Sequence, residues 1–182
     1  MTTHSLTQDR RLALLGTVGF AAALVAASQV AIPLPGTPVP LTLQPLLVVL
    51  AGMMLGPVAG AASMVLYIAA GVAGLPVFAP EGAPGLARLI GPTGGYILAY
   101  PVAAYVAGLL AARATTFVRR SLAAMSGMLV LYLGGLAQLA VLTGSVTRAA
   151  VLGVLPFVAF DAGKALVAAL VTRPSSERAA AD

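Results

Sequence analysis

From residue 31 to residue 57 the chain reads AIPLPGTPVPLTLQPLLVVLAGMMLGP, without a single charged side chain. Residues 31–41 contain four prolines and a glycine, so they cannot form a helix. They are nevertheless apolar, and irregular backbone at the depth of a bilayer persists only where protein or a cavity covers it. We therefore expect a loop that folds back over a membrane protein like a lid, followed by a short helix at 42–55.

The composition of the whole chain indicates that it is surrounded by lipid. Of its 182 residues, 60% are hydrophobic and 8% are charged, and the mean hydropathy is +1.02. A soluble domain has about 25% charged residues because its surface faces water. We predict an all-α integral membrane protein that forms a single membrane domain over residues 1–182.

Long apolar runs predict six transmembrane helices between two polar tails, residues 1–11 and 173–182. The first run follows an Arg-Arg pair but is long for a signal peptide, so we expect it to be an uncleaved helix. Pro156 interrupts the last run, where the helix could begin late. The expected helices are 12–30, 42–55, 58–73, 92–112, 121–143 and 149–172.

The distribution of arginine predicts the orientation. With six helices both termini lie on one side, and only Arg88 and Arg148 fall on the other. Positively charged residues favour the cytoplasmic side, so we expect cytoplasmic termini and outward-facing long loops in a prokaryotic-type cell membrane. Topology therefore explains the net charge of +5 without nucleic acid as a partner. The arginines on the side of the termini are Arg10, Arg11, Arg113, Arg119, Arg120, Arg173 and Arg178.

Several kinds of chemistry are excluded or disfavoured. The chain has no cysteine, and its one histidine, His4, lies in the polar N-terminal tail. Disulfides and thiolate metal sites are therefore excluded, and a histidine cluster is not expected. No Gly-x-x-x-x-Gly-Lys-Ser/Thr motif is present, so the chain does not hydrolyse ATP by that route. We expect no enzyme activity, no metal and no cofactor.

Asp161 and Lys164 are the only charged residues inside the six apolar runs. A charge at the centre of a membrane helix costs about 2.5–3.5 kcal/mol, so these two should pair or line a polar cavity. Their spacing places them on one face of the helix. They could form a structural ion pair, but we favour a binding role because charges inside membranes are usually functional.

Glycine and polar residues near the outer helix ends are further candidates. Residues 91–96 read GPTGGY, in which glycines allow close approach of a ligand to the backbone, although such a turn could equally serve helix packing. Arg88 could meet an anionic ligand, but we expect it to be a solvated loop residue, and we expect Tyr67, Tyr100 and Tyr105 to be interfacial anchors. The candidate ligand-binding residues are Asp161, Lys164, Gly91, Thr93, Gly94, Gly95, Tyr96, Gln44 and Thr42.

Small residues recur at intervals of four on the first predicted helix. Ala22 with Ala26, and Ala23 with Ala27, form a small-xxx-small face that allows another helix to approach closely. In a chain so rich in alanine, this pattern alone is a weak signal.

Together these motifs resemble the BioY family, the biotin-specific substrate-binding (S) components of energy-coupling factor (ECF) transporters. The resemblance covers about residues 12–172. Two places depart from the family pattern: Ala159 and Phe160 replace a common Pro-Gly pair, and Pro45 follows Gln44. The motifs are Ile32–Gln44, Leu50–Gly52, Leu55–Pro57, Gly74–Phe78, Gly91–Tyr96, and Pro156-Phe157 leading to Asp161 and Lys164.

The resemblance implies a six-helix S-component fold with an outward-facing biotin pocket, closed by the first and third loops. It implies that Asp161 and Lys164 bind polar groups of biotin, and that Gly91–Tyr96 and the Gln44 region complete the pocket. It also implies partners, namely a transmembrane coupling protein and two cytoplasmic ATPases. The alanine face of the first helix would dock on the coupling protein.

Two other functions stay open at this point. The chain could be a self-sufficient secondary transporter of biotin or another small vitamin, with Asp161 carrying a coupling proton. An intramembrane enzyme that uses Asp161 and Lys164 is a more distant alternative.

Overall fold

A computed structural model describes residues 3–172, with side chains from residue 11 onward. The described chain is helical apart from one short strand pair and the connecting loops. Its helices are α1 (Thr3–Ser28), α2 (Gln44–Leu55), α3 (Pro57–Val72), α4 (Leu86–Ile90), α5 (Gly94–Ala111), α6 (Phe117–Thr143), α7 (Val146–Gly153) and α8 (Val158–Val171).

The predicted all-α membrane fold is confirmed. Within the described residues, three helices are long and apolar enough to cross a membrane, and the bent pair α7 and α8 makes a fourth if counted as one span. The other two predicted segments, α2 and α3, are apolar but have only 12 and 16 residues. They are shorter than the roughly 20 residues that cross a bilayer core, and Gly56 joins them directly.

The predicted bounds of the first and last helices need correction. Helix α1 begins at Thr3 instead of residue 12, so most of the polar segment before the apolar run is helical. The predicted helix at 149–172 is two helices, α7 and α8, bent by 57°. Pro156 lies in the break because proline has no N–H for the helix ladder and clashes with the preceding turn. The tail at 173–182 lies outside the described residues.

Glycines bring the helices α2, α3 and α5 into backbone contact. A Cβ atom added at Gly52 would collide with the carbonyl of Ala104 on α5, and one at Gly60 would meet the backbone of Gly52. Gly108 lies against Pro57 in the same way. Close packing of this kind holds membrane helices together, since lipid gives no hydrophobic drive for association.

Two loops meet at one end of the bundle, called here the loop end. The first is the proline loop (residues 29–43), closed at its base by the antiparallel strands β1 (Ala31–Ile32) and β2 (Leu41–Thr42). The second is the arginine loop (residues 73–93), which contains α4. Neither strand was predicted, because a two-residue ladder has too little periodicity to appear in the sequence pattern.

Candidate functional site

A cavity opens between the helices beneath these two loops. It encloses about 690 Å³ not occupied by protein atoms, a volume that includes the space open to solvent at its mouth. Both loops and α2, α3, α5, α6 and α8 contribute to its wall. The lining residues are Val39, Pro40, Leu41, Thr42, Gln44, Pro45, Tyr67, Ala79, Arg88, Thr93, Tyr96, Ile97, Tyr100, Leu131, Tyr132, Phe157, Asp161 and Lys164.

An ion pair on α8 forms one side of the cavity. The ammonium of Lys164 lies 2.7 Å from Oδ1 of Asp161, and both side chains are almost fully buried. Tyr132 on α6 donates its hydroxyl hydrogen to Oδ2 of Asp161, also at 2.7 Å. The carboxylate is therefore oriented from both sides, and the remaining N–H bonds of Lys164 stay available to a ligand in the cavity.

The start of α2 presents a fixed amide on another side. Gln44 donates from Nε2 to the hydroxyl of Tyr67 at 2.9 Å, and the side chain of Thr42 donates to its Oε1 at 3.4 Å. Thr42 also accepts from the backbone N–H of Gln44, which begins the helix. The amide is buried, so these bonds set its orientation before any ligand binds.

Aromatic rings form an apolar part of the wall. Tyr67 meets Phe78 edge to face, with centroids 5.5 Å apart, and lies 6.3 Å from Tyr100. Tyr96 packs against Gly135 and donates its hydroxyl hydrogen to the carbonyl of Gly153. These rings can hold an apolar ligand body, while the hydroxyls of Tyr67 and Tyr96 stay engaged by protein.

Arg88 is buried and lines the cavity, which corrects the expectation of a solvated loop residue. Its guanidinium donates to the backbone carbonyls of Ala79 and Glu81. Burial lowers the pKa of the Arg88 guanidinium from its ordinary value, yet arginine keeps its charge in proteins. Among the side chains of residues 11–172 no carboxylate forms an ion pair with it. Its charge therefore suits an anionic group of a ligand.

Hydrogen bonds between side chains and backbone carbonyls hold both loops over the cavity. In the proline loop, Thr37 donates to the carbonyl of Leu152 on α7 at 2.6 Å. In the arginine loop, Ser28 at the end of α1 donates to the carbonyl of Val77 at 2.7 Å, and Gln29 donates to that of Phe78 at 3.2 Å.

The structure brings six of the nine predicted ligand-binding residues to the cavity: Thr42, Gln44, Thr93, Tyr96, Asp161 and Lys164. Gly91 lies in an adjoining cavity between the two loops. Gly94 and Gly95 are buried in packing contacts instead, since a Cβ atom at Gly94 would meet Leu89 and one at Gly95 would meet Gly134. The ligand role of these three glycines stays a prediction.

Sequence reasoning missed Tyr132 and treated Tyr67 and Tyr100 as interfacial anchors, although all three line the cavity. The available signal was a polar atom inside an apolar helix, which must find a partner. Tyr105, by contrast, is 43% exposed, as expected of an anchor facing lipid.

The alanines of α1 divide between two environments. Ala22 and Ala26 are exposed on the outside of the bundle, and Ala23 and Ala27 are half-buried. The opposite side of α1, with Ala21 and the fully buried Leu24, packs into the core. The exposed pair is thus open to another helix.

Comparison with known proteins gives consistent matches. A model of the BioY family matches residues 2–181. A probable biotin transporter BioY of Pyrococcus horikoshii is 45% identical over 134 residues, covering 74% of this chain and 78% of that protein. The biotin transporter BioY of Thermotoga maritima is 37% identical over 152 residues, covering 84% and 88%.

A solved structure has the same fold. It is the S component for biotin from an ECF-type ABC transporter, with a TM-score of 0.81. The match covers 94% of this chain and 92% of that one at 23% sequence identity, so it shows the arrangement of helices.

Proposed function

This chain belongs to the BioY family, and we propose that it is the biotin-binding S component of an ECF transporter in the cell membrane. The observation that carries the proposal is the cavity beneath the two loops, where an oriented ion pair and a buried arginine line a largely apolar space. Biotin has matching parts: a polar ureido ring, an apolar body and chain, and a terminal carboxylate.

The cavity suits one orientation of biotin better than the other. The ureido group has two N–H donors and a carbonyl acceptor, and Asp161 with Lys164 offers an acceptor beside a donor. The carboxylate of biotin would be repelled by Asp161 but attracted by Arg88, whose guanidinium has no carboxylate partner among the described side chains. We place the ureido ring at the ion pair and the carboxylate toward Arg88.

The proposed partners are a transmembrane coupling protein and two cytoplasmic ATPases. The chain has no phosphate-binding loop, so the energy for transport would come from other subunits, and the chain itself would be neither an enzyme nor a cofactor protein. The exposed pair Ala22 and Ala26 on α1 would dock on the coupling protein, since alanines let a second helix approach closely. The excess of arginine on one side supports cytoplasmic termini.

A self-sufficient proton-coupled transporter is the competing function. For Asp161 to carry a proton, one of its oxygens would have to release its present partner, because Lys164 and Tyr132 now hold both oxygens. The test of the proposed function must therefore separate ATP hydrolysis from the proton gradient as the source of energy.

The test is uptake of labelled biotin into proteoliposomes containing the chain with or without the ATPase module. The S-component proposal predicts biotin uptake only when the coupling protein and ATPases are present and ATP is supplied on the side of the membrane where the ATPases lie. A protonophore should not change this uptake. Uptake by the chain alone that stops when the proton gradient is dissipated would overturn it.

A further inference from the structure

Gln138 is a polar residue on α6 that does not line the cavity but holds one of its loops. Its Nε2 donates to the carbonyl of Leu89 at 2.9 Å and to that of Gly91 at 2.6 Å. These carbonyls lie where α4 ends and the chain turns into α5. One amide therefore fixes the backbone at two points, two residues apart, and uses both of its hydrogens to do so.

Two glycines make room for this contact. A Cβ atom added at Gly94 would lie 2.7 Å from Nε2 of Gln138, and one at Gly95 would lie 2.7 Å from its Cβ. Neither glycine has a positive φ, so the backbone conformation there does not require glycine. The Gly-Gly pair of the sequence motif is thus explained by space for the Leu89 carbonyl, for the Gln138 side chain and for the contact between α5 and α6.

The turn held by Gln138 has cavity residues on both sides. Arg88 comes directly before Leu89, and Thr93 follows Gly91 by two residues; both line the cavity. We infer that Gln138 is a positioning residue for the ligand site: it anchors the turn at 89–91 so that Arg88 and Thr93 stay at the cavity wall. This inference rests on the proposed function for its ligand, biotin.

Gln138→Leu tests the inference, since it keeps nearly the same size and removes both donors. We expect biotin to bind about tenfold more weakly, through faster dissociation, as the freed turn lets Arg88 and Thr93 move. Gln138→Asn, one methylene too short to reach both carbonyls, serves as a second variant should the leucine variant fail to fold. The matched control is Ser126→Ala on the same helix, whose hydroxyl bonds only to the carbonyl of Leu122.

A second readout follows the loop without any ligand. The chain has no cysteine, so Ile90→Cys gives a single site for a nitroxide spin label, between the two carbonyls that Gln138 holds. Ile90 is 73% exposed, and a label there need not disturb packing. We expect Gln138→Leu to add a mobile component to the electron paramagnetic resonance spectrum, and Ser126→Ala to leave the spectrum unchanged.

The two readouts decide the inference together. Weaker binding with a more mobile label supports it. Unchanged affinity, or weaker binding with an unchanged label spectrum, overturns it, because the turn would then not be the link between Gln138 and the site. Failure of the wild-type chain and of Ser126→Ala to bind biotin would instead overturn the proposed function. In that case the spin label still tests the anchoring by itself, and an unchanged label spectrum in Gln138→Leu would overturn it.

Discussion

Tyr132 on α6 and Asp161 on α8 are joined by a hydrogen bond of 2.7 Å from the phenolic oxygen to Oδ2 of the carboxylate. The other oxygen of the carboxylate accepts from Lys164. A carboxylate held at both oxygens is fixed in direction, and here it is fixed at the wall of the cavity. The ligand-binding geometry thus exists before the ligand arrives, which reduces the entropy lost on binding.

Removal of this hydrogen bond should weaken ligand binding while the ring stays in place. We expect Tyr132→Phe to bind biotin about tenfold more weakly, because a hydrogen bond to a charged group contributes about 1.5–3 kcal/mol and the carboxylate would lose its fixed direction. Tyr105→Phe is the matched control, since Tyr105 is exposed and lies outside the cavity. Isothermal titration of both variants measures the difference, and equal affinities would refute the role of Tyr132.

The ion pair can be tested for a binding role as opposed to a structural one. Asp161→Asn and Lys164→Met should each weaken biotin binding and lower stability, since loss of one partner leaves a buried charge uncompensated, at a cost of about 3–5 kcal/mol. The double variant should regain much of the stability, because neutral groups of similar size replace both charges. It should not regain binding.

Thermal unfolding and titration of the three variants separate the two roles. Recovery of biotin affinity in the double variant would mean that Asp161 and Lys164 serve the fold alone.

The packing of α2 against α5 predicts that alanine in place of one glycine lowers the stability of the protein, whereas alanine in place of another glycine does not. Gly52→Ala would push a methyl group into the carbonyl of Ala104, so we expect a loss of about 1–3 kcal/mol in unfolding free energy. Gly19→Ala on α1 meets no atom within 4 Å and should be neutral or slightly stabilising. Unfolding in detergent compares the two, and equal stability would contradict the backbone contact described here.

How much of the candidate site could be predicted from the sequence depended on whether a residue stands out in its local sequence. Asp161 and Lys164 were found because a charge inside an apolar helix is rare and costly. Arg88 was misjudged because the sequence shows that a segment is a loop but not that it folds inward onto a cavity. Tyr132 was missed for a related reason: its partner is 29 residues away on another helix, and no local pattern links the two.

The Gly-Gly pair at 94–95 illustrates another limit. Glycine in a motif marks a place where something approaches closely, but the sequence does not say whether that is a ligand or a neighbouring helix. Here the neighbours are Leu89 of α4 and Gln138 and Gly134 of α6. Similarly, Pro156 was recognised as a disruption, but whether it bends one helix or separates two depends on tertiary packing.

The exposed face of α1 predicts an effect on assembly without an effect on binding. Ala22→Leu and Ala26→Leu should leave biotin affinity unchanged, because both residues are exposed and neither lines the cavity. They should reduce co-purification with the coupling protein, since bulk prevents close approach of helices. Ala137→Leu, at an exposed alanine of α6, is the control. Normal co-purification of the α1 variants would place the docking surface elsewhere.

The most direct measurement is calorimetric titration of the purified chain alone in detergent with biotin, with thiamine and riboflavin as comparison ligands. A preformed cavity with an oriented ion pair, a buried arginine and aromatic walls predicts selective binding of biotin in the nanomolar range, equivalent to about −12 kcal/mol, without any partner subunit. Folded protein that binds none of the three, or that prefers thiamine or riboflavin, would contradict the biotin-binding function proposed for this cavity.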